Sequence, residues 1–205
     1  MLTTPIDSFK HLQCPYNDVV AGDDARPRVG ISRCLLGEEV RYDGGHKRDS
    51  LVLSSLGSLV HWVPVCPEVE AGMSTPREPI QLVADENGVL VDRVRVRLLG
   101  VRSLTDWTET MAMFSDARVS ELADQQLDGY ILKADSPSCG LHEVRVHRGD
   151  AVTRSGRGLF AEALVRALPD LPVEDEERLR DPVIRRSFVS RIRWHQQQRL
   201  DRSRR

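Results

Sequence analysis

The feature that most constrains this chain is an apolar run too short for a helix, Tyr130-Ile131-Leu132, running straight into the polar turn Lys133-Ala134-Asp135-Ser136-Pro137-Ser138-Cys139-Gly140. That pattern reads as a buried strand ending in a turn with a thiol near its tip. It occurs twice more: Val29-Gly30-Ile31-Ser32 leads to Cys34, and His61-Trp62-Val63-Pro64-Val65 leads to Cys66. In an open parallel α/β sheet the carboxyl ends of the strands face a common crevice where ligands bind. If the three strands are neighbours, the three thiols converge there.

The segments between these strands support the same architecture. Asp49 is placed to cap a helix over Leu51, Leu53, Leu56 and Leu59, with Gly57 near its end, which makes a βαβ unit of the first two strands. Pro64 suits only an edge strand or a strand end. Ile80–Val83, the turn Asp85-Glu86-Asn87-Gly88 and the alternating Val94–Leu98 predict a hairpin whose Arg95 and Arg97 face solvent. A long helix is expected from Ser103 or Thr105 through Trp107, Met111, Phe114, Val119 and Leu122. A short strand follows at Val144–His147, then a helix over Leu159, Phe160, Leu164, Val165 and Leu168. A last helix opens at Asp181-Pro182, with proline in its favoured first position, and carries Ile184, Phe188, Ile192 and Trp194. The expected fold is therefore α/β: an open, mostly parallel, Rossmann-like sheet flanked by helices, with an added β-hairpin and a C-terminal helical extension. Residues 1–27, with Pro5, Pro15, Gly22 and Pro27 and no sustained period, read as an irregular arm. Residues 28–170 read as the α/β domain and 171–205 as linker and helix.

Composition narrows the class of function. A formal charge of -2 over 205 residues gives no global basic field toward DNA or an anionic membrane. The local exception is the end, where Arg185, Arg186, Arg191, Arg193, Arg199, Arg202, Arg204 and Arg205 follow the acidic stretch Glu174–Glu177. No run reaches membrane-spanning length, and Met1–Lys10 has neither a basic nor an apolar leader region, so a cytoplasmic protein is expected. Four scattered cysteines in a chain of this length do not form a secreted disulfide framework. Cys14, with no strand ahead of it, stands apart from the other three.

Three readings of Cys34, Cys66 and Cys139 remain open on the residues alone. They can be inert core thiols, a disulfide pair with a companion, or ligands. Structural zinc is disfavoured because no Cys-x-x-Cys or Cys-x-x-His pair occurs, and His147 alternates with Val144 and Val146 as a strand residue does, leaving only His142 to help. An iron–sulfur cluster held by three thiolates would leave one iron without a protein ligand, an open Lewis-acid position. Ser32, Ser136 and Ser138 can donate to sulfurs or substrate. Glu68 lies two residues beyond Cys66, and Arg41-Tyr42-Asp43-Gly44-Gly45 has the mixed composition of a binding loop.

Three blocks in order carry a resemblance: Ile31-Ser32-Arg33-Cys34-Leu35-Leu36-Gly37 with Arg41-Tyr42-Asp43-Gly44-Gly45-His46; Cys66-Pro67-Glu68 with Gly72 and Pro76-Arg77; and Lys133 with Ser136-Pro137-Ser138-Cys139-Gly140. Together they resemble the thiouracil desulfurase family over about Arg28 to Leu168. The resemblance implies a [4Fe-4S] cluster ligated by Cys34, Cys66 and Cys139, and removal of sulfur from a thiolated pyrimidine such as 2-thiouracil. On that reading Glu68 and Ser136 are catalytic, and Ser32, Arg41, Tyr42, Asp43 and Ser138 bind substrate. Sulfide leaves as hydrosulfide without net electron transfer. The C-terminal stretch is similar to relatives in which a helical domain follows, so a helical partner domain or a second copy of the chain is an expected partner beside the small nucleobase. Two other functions fit the same residues: a sulfur transferase acting on thiolated nucleosides or RNA, and a cluster-binding sensor module.

Overall fold

In a computed structural model, which describes residues 26–91 and 94–203, eight strands form two four-stranded sheets. The arm at 1–25, Cys14, Arg204 and Arg205 lie outside the described residues. The first sheet has the order β2 (His61–Val65), β1 (Arg28–Ser32), β5 (Gly129–Leu132), β8 (Val173–Asp175), and every pairing in it is parallel. The three strands that precede cysteines are therefore adjacent, and their carboxyl ends lie along one rim. Pro64 sits on β2 at the sheet edge, where its missing N–H breaks no inner ladder.

Both faces of this sheet are covered. On one, Val29, Ile31 and Ile131 pack with Val52 and Leu56 of α2 (Ser50–Leu56) and with Phe188 and Ile192 of α6 (Pro182–Ser203). On the other, Val65, Tyr130 and Leu132 pack with Val119 and Leu122 of α4 (Thr108–Asp124) and with Phe160 and Leu164 of α5 (Leu159–Ala167). Near-continuous apolar runs such as Tyr130-Ile131-Leu132 suit strands buried on both faces. Asp49 does cap α2, its carboxylate accepting from the Val52 N–H at 2.9 Å. The long helix opens later than Ser103 or Thr105: Asp106 accepts from the Thr108 N–H at 2.9 Å and fixes the first turn there.

The second sheet, order β4 (Val94–Gly100), β3 (Ile80–Val91), β6 (Val144–Arg148), β7 (Ala151–Gly156), is mixed. It corrects the simple hairpin. Asp85–Gly88 is not the reversal but an irregularity within β3, since Ala84 and Val89 both face Val96 and pairing continues to Val91 opposite Val94. The Asn87 N–H donates to Asp85 at 2.8 Å, the local turn chemistry that gave the misleading signal. Residues 171–205, read as linker and helix, also supply β8 and four core side chains packed on the first sheet, Leu171, Leu179, Phe188 and Ile192. No helix among the described residues is long and apolar enough to cross a membrane.

The start of β5 is fastened to α6 by one carboxylate. Asp128 is fully buried, accepts from the Arg28 N–H at 3.0 Å and from Arg199 Nε and Nη2 at 3.0 Å each, and lies 3.5 Å from His195 Nδ1. Burial pushes its pKa up, but the bonds from His195, Arg199 and Arg28 outweigh it and hold the carboxyl below the usual carboxylate range. Asp128→Ala therefore destabilises the fold by about 3–5 kcal/mol, because a half-buried guanidinium loses its carboxylate. A depressed folded pKa contributes stability above the unfolded value near about 3.9, lost as pH falls through the folded one. Denaturant titrations at neutral and acid pH check both points: the variant is much weaker at neutral pH, and the gap narrows in acid.

Candidate active site

Each cysteine is delivered by the same local device, a strand that stops and a short turn or helix that starts. β1 ends at Ser32 and passes into α1 (Arg33–Leu36), carrying Cys34. β2 ends one residue before Cys66, which caps α3 (Pro67–Glu70), and proline at the first position of α3 starts that helix without wasting an N–H. Glu70 closes the turn, accepting from the Cys66 N–H at 2.8 Å and from Arg118 Nε at 3.1 Å. β5 runs into the Ser-Pro-Ser-Cys turn, in which Ser136 Oγ accepts from the N–H groups of Ser138 at 3.3 Å and Cys139 at 3.0 Å. All three thiols are free, buried and line one cavity of about 410 Å³, within the usual range of ligand sites.

Burial dominates the electrostatics of the three thiols and holds each in its neutral form. Burial pushes the Cys34 thiol up to about 11, with Cys66 adding to the shift. Burial likewise raises Cys66, and Glu68 adds to it, while burial and then Cys66 push Cys139 well above the usual thiol range. As thiolates the three would repel one another, since Cys66 raises both Cys34 and Cys139, and a shared cation would relieve that repulsion. Among the described residues no three His, Cys, Asp or Glu side chains are arranged to hold a single metal ion. Three free, buried thiols lining one space are the soft donor type that an iron–sulfur cluster takes, one thiolate per iron.

The remaining predicted residues divide. Glu68, Ser136, Ser32, Arg41 and Tyr42 line the cavity with the cysteines; Asp43 and Ser138 do not. Asp43 is half-exposed and accepts from the Gly45 N–H at 3.0 Å, so it shapes its own turn. Ser138 is fully buried behind Glu68, donating to Oε1 at 2.9 Å. Ser32 is 2% exposed; its hydroxyl accepts from the Lys133 N–H at 3.0 Å and pulls against the rise at the Cys139 thiol, so it holds the frame of the site. Arg41 has a buried Nε with no hydrogen-bond partner and a guanidinium 5.2 Å from the Tyr42 ring centre.

Two cations with no predicted role shape the site. Arg77 holds Glu68 Oε2 through Nε at 2.9 Å and Nη2 at 2.5 Å, and also donates to the Val40 carbonyl at 3.1 Å. Lys133 Nζ is held by Glu176 at 2.5 Å and the Ala134 carbonyl at 2.8 Å, placing a positive charge that pulls against the rise at Cys34. Both residues stand in the motif blocks, but their partners lie nine and 43 positions away, beyond any local pattern. Ile80 and Arg145 of the second sheet complete the opposite wall.

A parallel sheet whose carboxyl rim gathers three free thiols, a clamped carboxylate and the Arg41 guanidinium defines an α/β protein built around a thiol-lined pocket. The chain belongs to the 2-thiouracil desulfurase family, which matches residues 29–176. It is 32% identical over 111 residues to "Uncharacterized protein YbbK" of Bacillus subtilis (strain 168), covering 54% of this chain and 71% of that protein. Its fold is similar to that of the solved [4Fe-4S]-dependent thiouracil desulfidase TudS, with a TM-score of 0.60 and 28% identity over 79% of this chain and 99% of that one.

Proposed function

We propose that this chain is a [4Fe-4S]-dependent desulfidase that hydrolyses the carbon–sulfur bond of a thiolated pyrimidine, with Cys34, Cys66 and Cys139 as the cluster ligands. The observation that carries the reading is the meeting of three free buried thiols and Glu68 in one cavity at the ends of adjacent parallel strands. When bound, the cluster supplies an iron without a protein ligand, a Lewis-acid position for the exocyclic sulfur.

The chain's own groups supply the rest. Arg41 and Tyr42 on the cavity wall orient the ring, the guanidinium reaching a polar edge and the phenol ring covering a face. Glu68 keeps its carboxylate fixed between Ser138 and Arg77 and accepts the proton of an attacking water. The water oxygen bonds the ring carbon as Glu68 takes one of its protons, and when the carbon–sulfur bond breaks the second water proton and the one held on Glu68 go to the departing sulfur. The balance is thiocarbonyl plus water giving carbonyl plus hydrogen sulfide, with no electron gained or lost. The Ser136 hydroxyl accepts two backbone N–H groups, which leaves its own hydrogen available to the cavity.

An RNA substrate is less well served. Of the C-terminal arginines, Arg191 is engaged by Glu174, Arg199 by Asp128, and Arg185 by the carbonyls of Leu179 and Arg180. Anaerobic reconstitution followed by incubation with 2-thiouracil and 4-thiouracil tests the proposal. Uracil and hydrosulfide should form in equal amounts without added reductant. A fully loaded protein that releases no sulfide from any thiopyrimidine would refute it.

A further inference from the structure

Tyr130 is a buried titratable group that the proposed chemistry does not use. It stands in the middle of β5 and is fully buried, and its ring lies flat across β1: a Cβ on Gly30 would fall 2.2 Å from a ring carbon. Gly30 is what lets the ring cross its neighbouring strand. On the far side Phe160 packs at 5.8 Å between ring centres, so the ring has no freedom to turn its hydroxyl to water. The hydroxyl nonetheless has no hydrogen-bond partner.

A buried, unsatisfied hydroxyl is costly and rare enough to require a reason. Tyr130 belongs to the same apolar cluster of side chains as Cys139. The charged groups it feels are Cys139, Glu70, Arg118 and Cys66. Glu70 and Arg118 are committed elsewhere, Glu70 to the Cys66 N–H and Arg118 to Glu70 and Glu121. What remains with room for a further donor is sulfur, since a deprotonated sulfur accepts more than one hydrogen bond even where Ser32 is already placed to donate to Cys139. Burial raises the phenol well above its usual pKa, so it stays protonated and able to donate at any working pH.

We infer that the Tyr130 hydroxyl is a hydrogen-bond donor to a sulfur on the Cys139–Cys66 side of the bound cluster, an orphan in the bare protein that finds its acceptor when the cluster is in place. This rests on the cluster assigned above and extends it, because hydrogen bonds to cluster sulfurs tune their charge and so the reduction potential. Tyr130 is thus a positioning and tuning residue that touches the cofactor's surroundings rather than the substrate.

The inference gives one substitution two opposite effects. In Tyr130→Phe the bare protein loses only an unsatisfied group, so it should unfold at an equal or higher temperature than wild type. The anaerobically loaded variant should have a more negative midpoint potential, since a donor that favours the extra electron is gone. About a tenfold change in the oxidised-to-reduced ratio is expected, which for one electron is about 59 mV. A variant that melts normally but fails to retain iron and sulfide supports the same donor role. Equal potentials in the two loaded proteins overturn the inference alone, as does a lower melting temperature of the bare variant, which would show that the hydroxyl already has a partner. Failure of the wild type to take up a cluster overturns this inference and the proposed function together.

Discussion

Replacing Cys34, Cys66 or Cys139 singly by serine abolishes cluster retention and sulfide release while leaving the protein folded. The thiolate, not the hydroxyl, is the soft ligand iron requires, and each of the three cysteines follows a different strand, with no fourth thiol lining the cavity among the described residues. Loss of a Lewis acid removes several kcal/mol of transition-state stabilisation, so sulfide release falls by about 10³-fold or more. The fold should survive because serine is nearly isosteric. At Cys139 the incoming hydroxyl has the Ser32 hydroxyl nearby as a partner. At Cys66 the backbone N–H stays held by Glu70 whatever the side chain. Iron and acid-labile sulfide content, the thiolate-to-iron charge-transfer absorption and the melting temperature of the bare proteins check the result together. Unchanged iron content in all three variants removes the ligand assignment.

The rim that gathers these thiols is legible in the sequence because each strand there is short, continuously apolar and cut off by turn residues. Pro64 marked the edge strand, and Asp49 marked the start of α2. The strands that escape reading are those whose stability comes from distant charges. Val173-Glu174-Asp175 looks like an acidic surface stretch, yet Glu174 is 7% exposed and Asp175 4%. Glu174 is held there by Arg178 and Arg191, and Asp175 by the N–H of Arg178. No periodicity reports such pairing. β7 is polar and mostly exposed, an edge strand recognisable only from its partner β6. Asp85–Gly88 shows the converse failure, strong local turn chemistry inside a strand whose cross-strand partners carry it on to Val91. At the site, the motif blocks hold most of the polar residues that line the cavity, while Ser138 and Asp43, expected to bind substrate, stand outside its lining. Ser138 looks outward in the Ser-Pro-Ser motif and in fact faces Glu68, 70 positions earlier.

That contact, with Arg77 on the other oxygen, makes Glu68 the group whose alteration separates structure from chemistry most cleanly. Glu68→Gln retains shape and can still accept from Ser138, so the bare protein folds and the cluster loads, though with lower stability because the buried Arg77 guanidinium loses its counter-charge. Proton acceptance is lost, and sulfide release falls by about 10²–10⁴-fold. Arg77→Met acts differently. Both partners are well buried, with side chains 8% and 14% exposed, and removing the guanidinium leaves a carboxylate without its counter-charge, which costs about 3–5 kcal/mol of stability. Combining the two changes removes both charges and should recover most of that stability while activity stays at the level of Glu68→Gln, a non-additivity expected only of groups in direct contact. Chemical denaturation of the four proteins gives the coupling energy, and sulfide release from the loaded forms gives the rates. Full activity in Glu68→Gln takes the carboxylate out of the reaction. Additive stabilities would mean that the pair does not hold in solution, and the fixed proton acceptor would have to be sought among the other groups on the cavity wall.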